Sequence, residues 1–566
     1  MLRTIALTLA LLSSATSADT LIYNVNGIQV GADGQIQRFR GLVIDDRGKV
    51  ERLIQRTEEL NRSIEHEVDG GGRTLLPGLI DAHGHIVDSP GGGTGLGLFL
   101  MQLDVVGTTS ISDLQKRLAR YASKHPEAEW IVGRGWNQEL WPDKRFPTAA
   151  DLDAVVKDRP VVLERVDGHA LVANTAALRK AQVDGRTRDV DGGKIERDAN
   201  GGPTGLLVDN AMTLVSVRIP APNDALLDRA MDAAQKALLS IGITTATDMG
   251  TSPKGWAAIR RLAERGRLNV RIMAYADGFE PFGSVGGPTS TGWLYEDRLR
   301  LVGVKLYADG ALGSRGAWLK QPYADKPDTR GLALMDDARL RSLSEQAAKG
   351  GLQVATHAIG DAANAQVISI YEDLARKYGR DRRWRIEHFQ IADPKDISRL
   401  APAGIIASMQ PTHQTSDRLM AEARLGPDRL AGAYAWQTVL RSGARLAFGS
   451  DFPVESPNPF PGLAAAVSRQ DMNGEPPGGW LPIERVSFAQ ALSGFTRDAA
   501  YAGFSEDRIG SLEPGKWADF ILVDRDVSAV DPQDLARTQV LETWVAGKKV
   551  WDRPNVGLDA PGERGK

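Results

Sequence analysis

The chain of 566 residues contains no cysteine, which excludes disulfides, thiolate metal ligands and a cysteine nucleophile. Any metal it binds must therefore be held by His, by carboxylates or by a modified Lys. An excess of one charge is equally absent. With 69 Lys and Arg against 72 Asp and Glu the formal charge is −3, and no basic patch or like-charge run marks a nucleic acid as partner. A small, near-neutral substrate is the expected ligand, and a homo-oligomer is left open. Beyond the N-terminus no apolar run is long enough to span a membrane. Residues 1–18, MLRTIALTLALLSSATSA, join Arg3, an apolar stretch at 5–12 and small residues up to Ala18, the pattern of a secretory signal peptide. Export without cysteine points to the periplasm or the outside of the cell.

The rest has globular composition, 42% hydrophobic and 25% charged, and is too long for one hydrophobic core. Asn223 is placed to cap a helix whose Leu227, Met231, Ala234 and Leu238 share one face; Gly242 ends it and a β-rich run follows. Similar units recur at VRIMAYAD (270–277), LVGVKLYADG (301–310), LQVATHAI (352–359), WRIEHFQI (384–391), GIIASMQPTH (404–413) and RLAFGSDFP (445–453). With LLPGLIDAHGH (75–85) and ITTATDM (243–249) the strands number eight, which predicts an α/β fold, a (β/α)₈ TIM-type barrel over 75–504. The first gap is too long for one crossover and predicts an inserted subdomain at about 112–215. Short alternating strands in 19–74 and 505–555 predict a small β-sandwich formed from both chain ends.

Histidines and acids gather at the carboxyl ends of these strands, where such barrels keep their chemistry. His83 and His85 close the first strand; two apart on an extended chain, they point the same way and can share a metal. His357 closes the fifth strand, His388 the sixth and Asp451 the eighth. Each alone reads equally well as a core-edge polar residue; together on one rim they predict a metal site. Lys305, near the end of strand four, aims at the same mouth. An ammonium there is repelled by a metal, at about 4 kcal/mol per unit-charge pair at roughly 4 Å and a dielectric of about 20. It must turn away to an acid or, the better fit, be carboxylated by CO2 to a carbamate that bridges two metals.

LLPGLIDAHGHI, the strand-four lysine, THAIGD, RIEH, FGSD and the tail GSLEPGKWADFILVD, in this order, resemble the metal-dependent amidohydrolase superfamily over nearly the whole mature chain. RVDGHALVANTAAL, GGPTGLLVD and VKLYADGALGSRGAWL are similar to the branch containing N-substituted formamide deformylase. The resemblance implies a binuclear metal centre held by His83, His85, Lys305, His357, His388 and Asp451, with Asp451 as general base. Two divalent ions, zinc foremost, would polarise a substrate carbonyl and hold a hydroxide. The expected activity is hydrolysis of a non-peptide carbon–nitrogen bond in an N-acyl or N-formyl amide or a cyclic amide.

Further candidates for substrate contact are His169, Asp309, Arg315, His413 and Trp136. His169 sits in the insertion; Asp309, Ser314 and Arg315 lie on a glycine-rich loop and could bind substrate or brace the lysine. His413, after strand seven, could contact substrate or the oxyanion, or serve only the loop. Trp136 and Trp141 suggest an aromatic wall, with core tryptophans as the alternative. The competing activities are a metal-dependent deaminase or esterase on the same barrel, and a non-catalytic exported binding or regulatory protein. Glu387 before His388, and the strand-four lysine, favour the two-metal hydrolase over the deaminase.

Overall fold

The computed structural model describes residues 19–554, apart from 56–57, 59–63, 65, 90–92, 166–169, 191–192, 280–281 and 286–288. The signal sequence at 1–18 and His169 lie outside the described residues. Eight parallel strands form one sheet: β1 (Leu79–Gly84), β2 (Ile243–Thr251), β3 (Arg271–Asp277), β4 (Leu299–Tyr307), β5 (Gln353–Ala358), β6 (Arg385–His388), β7 (Ile406–Met409) and β8 (Arg445–Phe448). They pair in sequence order and curl into a nearly closed barrel, the mixed α/β architecture expected. Nearly every residue of β2, β3, β5 and β6 is buried, because helices cover the outer face while side chains fill the inner one. Among those helices are α1 (Asp224–Ser240), α2 (Pro253–Glu264), α3 (Asp337–Lys349), α4 (Asp361–Tyr378) and α5 (Pro411–Leu425). On α1 the Asn223 side chain accepts from the Leu226 N–H at 2.9 Å, and Leu227, Met231, Ala234 and Leu238 are all buried, as the apolar spacing predicts.

The barrel seam lies between β1 and β8. Asp81 of β1 accepts from the backbone N–H and the hydroxyl of Ser450, the latter at 2.6 Å, and from the His83 N–H at 3.0 Å. Beyond β8 the Asp451 N–H donates to the His83 carbonyl at 2.7 Å and the His85 N–H to the Phe452 carbonyl at 2.8 Å. A Cβ at Gly449 would come within 2.5 Å of the His83 nitrogen, so only glycine lets the two strands approach this closely.

Strands from both chain ends share a second eight-stranded sheet, ordered Lys548–Asp552, Val540–Val545, Phe520–Val523, Thr74–Pro77, Thr20–Val30, Ile36–Ile44 and Val50–Ile54, with His66–Asp69 also paired to Thr20–Val30. Its core includes Ile22, Phe39, Leu42, Phe520 and Trp544. The Thr74–Pro77 strand runs on through Gly78 into β1, and Asp519, in the tail motif, grips the buried Arg271 of β3 with bonds of 2.6 and 2.9 Å. Residues 96–233 form a separate compact unit around a six-stranded sheet. It is wider than the 112–215 stretch read from spacing, because Leu103–Asp104 pairs with Ile131–Trp136 and the Gly97 backbone lies against Ala230.

Candidate metal centre

The ladder register brings the strand ends to one level: Tyr307 of β4 pairs with His357 of β5, and Ala358 with His388 of β6. His83 and His85, on the same side of β1 as alternation requires, both aim Nε2 at Oδ1 of Asp451, at 3.4 and 3.2 Å. Lys305 is buried, with Nζ 3.4 Å from the same His83 Nε2. The His388 ring lies 4.7 Å from that of His83 and 4.6 Å from that of His357, centroid to centroid. All six residues named from the strand ends thus meet at one mouth. His413 joins them from the first turn of α5, its Nε2 3.7 Å from Oδ2 of Asp451.

Their surroundings prepare these groups as ligands. Burial, then the charge of Lys305, pushes His83 down to about 4 and His357 to about 3; burial and the neighbouring imidazoles hold His388 well below its usual value. Neutral imidazoles are the form that binds metal. Burial also lowers Lys305 to about 8, which favours its neutral amine. Glu387 sits 2.6 Å from Nδ1 of His83, so the ring donates there and keeps its Nε2 lone pair for the cleft. His388 Nδ1 lies 3.0 Å from Oε1 of Gln410, whose amide nitrogen faces the Ser408 carbonyl, so this ring donates at Nδ1 and has its lone pair at Nε2. His388 and Asp451 both hold left-handed backbone, φ 75° and 62°, a strained geometry for residues with side chains that is concentrated at functional sites.

Among these imidazoles and one carboxylate, His357 Nε2, His413 Nε2 and Asp451 Oδ1 are buried with no hydrogen-bond partner among the described residues. Buried polar atoms are seldom left so, and such atoms gathered in one cleft fit a bound ligand, a cation for the carboxylate Oδ1 of Asp451. Ligand atoms of His83, His85 and Asp451, and of His388, His413 and Asp451, form two sets, each within 4.8 Å of one another. The donor chemistry suits a divalent metal.

The remaining candidates sit elsewhere. Asp309 is buried and its carboxylate accepts the backbone N–H groups of Trp318, Ile359 and Gly360 at 2.8 to 2.9 Å, tying the loops after β4 and β5 together; burial raises it to about 7. Its Oδ1 lies 3.5 Å from Nε2 of His357, so it borders the cleft. Arg315 makes a two-pronged pair with Asp325 at 3.1 and 2.8 Å, and the Ser314 hydroxyl meets the Ala311 carbonyl. Trp136 and Trp141 are fully buried in the core of the 96–233 unit, the Trp136 indole donating to the Leu163 carbonyl, so neither ring offers a wall to solvent.

Arg385, Glu387, Gln410 and Gln390 were not singled out as site residues by the sequence. The Arg385 guanidinium grips Glu387 at 2.7 and 3.0 Å and also donates to the Ala82 carbonyl and the Ser408 hydroxyl. Burial alone would raise Glu387; Arg385 and His83 hold it ionised. The only sequence signal is the Arg-x-Glu alternation inside RIEH, which puts the two side chains on one face. For Glu387→Gln we expect apparent stability to fall by about 3–5 kcal/mol, because Arg385 is left buried and unpaired. Metal affinity should fall by about 10–100-fold as His83 loses its orienting carboxylate. Thermal unfolding and metal titration read the two effects; unchanged metal affinity would remove the orienting role.

An eight-stranded parallel barrel that gathers His, Lys and Asp at its carboxyl mouth has a candidate metal centre where TIM-type barrels keep their chemistry. The chain belongs to the amidohydrolase family, whose model matches residues 66–551. It is 35% identical over 505 residues to Protein LONG AFTER FAR-RED 3 of Arabidopsis thaliana, covering 86% of this chain and 83% of that one. To N-substituted formamide deformylase of Arthrobacter pascens it is 27% identical over 501 residues, covering 86% and 90%. Among solved structures, an uncharacterized metal-dependent hydrolase from Pyrococcus horikoshii OT3 superposes with a TM-score of 0.75 at 28% identity, over 91% of this chain and 99% of that one.

Proposed function

We propose that the protein hydrolyses a non-peptide carbon–nitrogen bond, in an N-acyl or N-formyl amide or a cyclic amide, with two divalent metals at the barrel mouth. The observation that carries this reading is the buried cleft in which His357 Nε2 and Asp451 Oδ1, neither with a hydrogen-bond partner among the described residues, lie at one barrel mouth with His83 and His388. The likeness to a formamide deformylase supports an amide as substrate. His83, His85 and Asp451 would hold one ion, and His357 and His388 the other, with Lys305 as a carbamate between them. The carbamate forms when the neutral Nζ attacks CO2 and releases a proton, and the low proton affinity of this buried amine favours that step. Bound metals supply Lewis acidity and lower the pKa of water.

The chain's own part is to move one proton and to exclude solvent. Asp451 takes the proton of the attacking water as its oxygen bonds the carbonyl carbon; as the C–N bond breaks, the carboxyl returns that proton to the leaving nitrogen. Its carboxylate is buried at the mouth beside His83 and His85, where such a proton would be exchanged. Zinc-loaded protein should turn over some member of a panel of N-formyl amines, N-acetyl amines and lactams, and should lose that activity on chelation. Full activity after exhaustive chelation, or no turnover across the panel by protein holding two metals, would overturn the proposal.

A further inference from the structure

Three histidines at the mouth have their tautomers set by neighbours, and one is set opposite to the other two. His83 and His388 face acceptors at Nδ1, namely Glu387 and the Gln410 oxygen, and so keep lone pairs at Nε2. At His413 the neighbour is a donor. Its Nδ1 lies 3.1 Å from the amide nitrogen of Gln390, and that nitrogen also lies 3.4 Å from Oδ2 of Asp417. The same carboxylate oxygen accepts the Tyr434 hydroxyl at 2.7 Å.

The orientation of the relay follows from its carboxylate. That oxygen already accepts from Tyr434 and accepts again from the amide, so Gln390 turns its NH₂ toward Asp417, and the second hydrogen of that NH₂ points at His413. Nδ1 of His413 must therefore accept, and a neutral imidazole that accepts at Nδ1 carries its proton at Nε2. The relay is sheltered: His413 is 7% exposed, Gln390 5% and Tyr434 1%. Nε2 has no hydrogen-bond partner among the described residues, and Oδ2 of Asp451, at 3.7 Å, is too far to be one.

His388, His413 and Asp451 lie close enough to hold a cation together. Ligation by His413 through Nε2, however, needs the lone pair that this tautomer lacks, and reversing it would set an N–H of the ring against the N–H of Gln390. We propose that His413 is not a metal ligand but an N–H donor to the carbonyl oxygen of the substrate, with Gln390, Asp417 and Tyr434 as positioning residues that fix its tautomer. The identity of the acceptor rests on the hydrolase reading; the tautomer rests on the relay alone. The cleft so arranged selects substrates with an acceptor oxygen on the carbon under attack.

Nitrogen-15 NMR of the histidine-labelled, zinc-loaded protein, with the His413 signals assigned by their loss in His413→Gln, should show Nε2 protonated and Nδ1 accepting. His413→Leu should keep the wild-type zinc content yet lose about 10²–10³-fold in kcat on the best amide of the panel, the cost of one missing donor to a developing oxyanion. His413→Gln, which restores an amide N–H, should recover part of that loss. Gln390→Leu should leave His413 as a mixture of tautomers. Protonated Nδ1 in the wild type, or loss of one zinc equivalent in His413→Leu, would overturn the proposal. Should no amide be turned over, the hydrolase reading fails by itself, while the nitrogen-15 spectrum and the zinc count still decide whether His413 donates or ligates.

Discussion

Replacing Asp451 by Asn is expected to cut turnover per bound metal by roughly 10²-fold or more, because the amide cannot take a proton from the attacking water. The residue's position argues for the size of the effect. Its carboxylate is buried, with Oδ1 3.2 Å from His85 Nε2 and 3.4 Å from His83 Nε2. Asn has nearly the same shape, and the backbone bond from Asp451 N–H to the His83 carbonyl does not depend on the side chain, so the fold should survive. Metal affinity should weaken, since a negative ligand is lost. Turnover must therefore be divided by metal measured in the same sample; equal values for variant and wild type would leave Asp451 a ligand only.

Lys305→Ala tests the most charge-sensitive point of the site. If Lys305 is a bridging carbamate, the variant should lose the two-metal site and on the order of 10³-fold or more in activity. Acetate or propionate should then restore part of both by occupying the vacated position. An ammonium makes the opposite demand: removing it from 3.4 Å beside His83 Nε2 would relieve repulsion, so metal affinity would hold or rise and carboxylates would do nothing. Carbon-13 NMR after labelling with bicarbonate reads the modification directly. An unmodified amine in active, fully loaded enzyme would falsify the carbamate and leave the His and Asp assignments standing.

The parts of this site that could be read from sequence are those tied to strand ends. His83, His85, His357, His388 and Asp451 each follow a short apolar run, and a parallel barrel sends all such ends to one face. The supporting groups were hidden for a physical reason. Glu387 reaches His83 across 304 positions, and Gln390 meets His413 across 23, contacts that depend on register and loop course and on no local period. Adjacent residues mislead as well: a regular strand would send Glu387 and His388 to opposite faces, yet both meet His83, because the strand ends in the left-handed turn at His388. Trp136 shows the opposite limit. An aromatic residue beside Gly and Asn reads as readily as surface as core, and only the packing of its own sheet decides for the core.

The seam between β1 and β8 also bears on how the protein is made. Asp81 meets Ser450 across 369 positions, and the His83 carbonyl meets Asp451 at the same join. Ribosomes deliver β1 early and β8 late, and closing so long a loop is among the slower steps a chain can take. Until it closes, His83 and His85 have no Asp451 opposite them, so a growing chain would lack one member of the proposed ligand set. Metal held there as proposed would favour the completed fold, by roughly 2.7 kcal/mol at a free concentration of about 100 times Kd for a site the unfolded chain does not offer. A divalent ion held across this join as proposed would act as a clasp on the ring, resisting its opening.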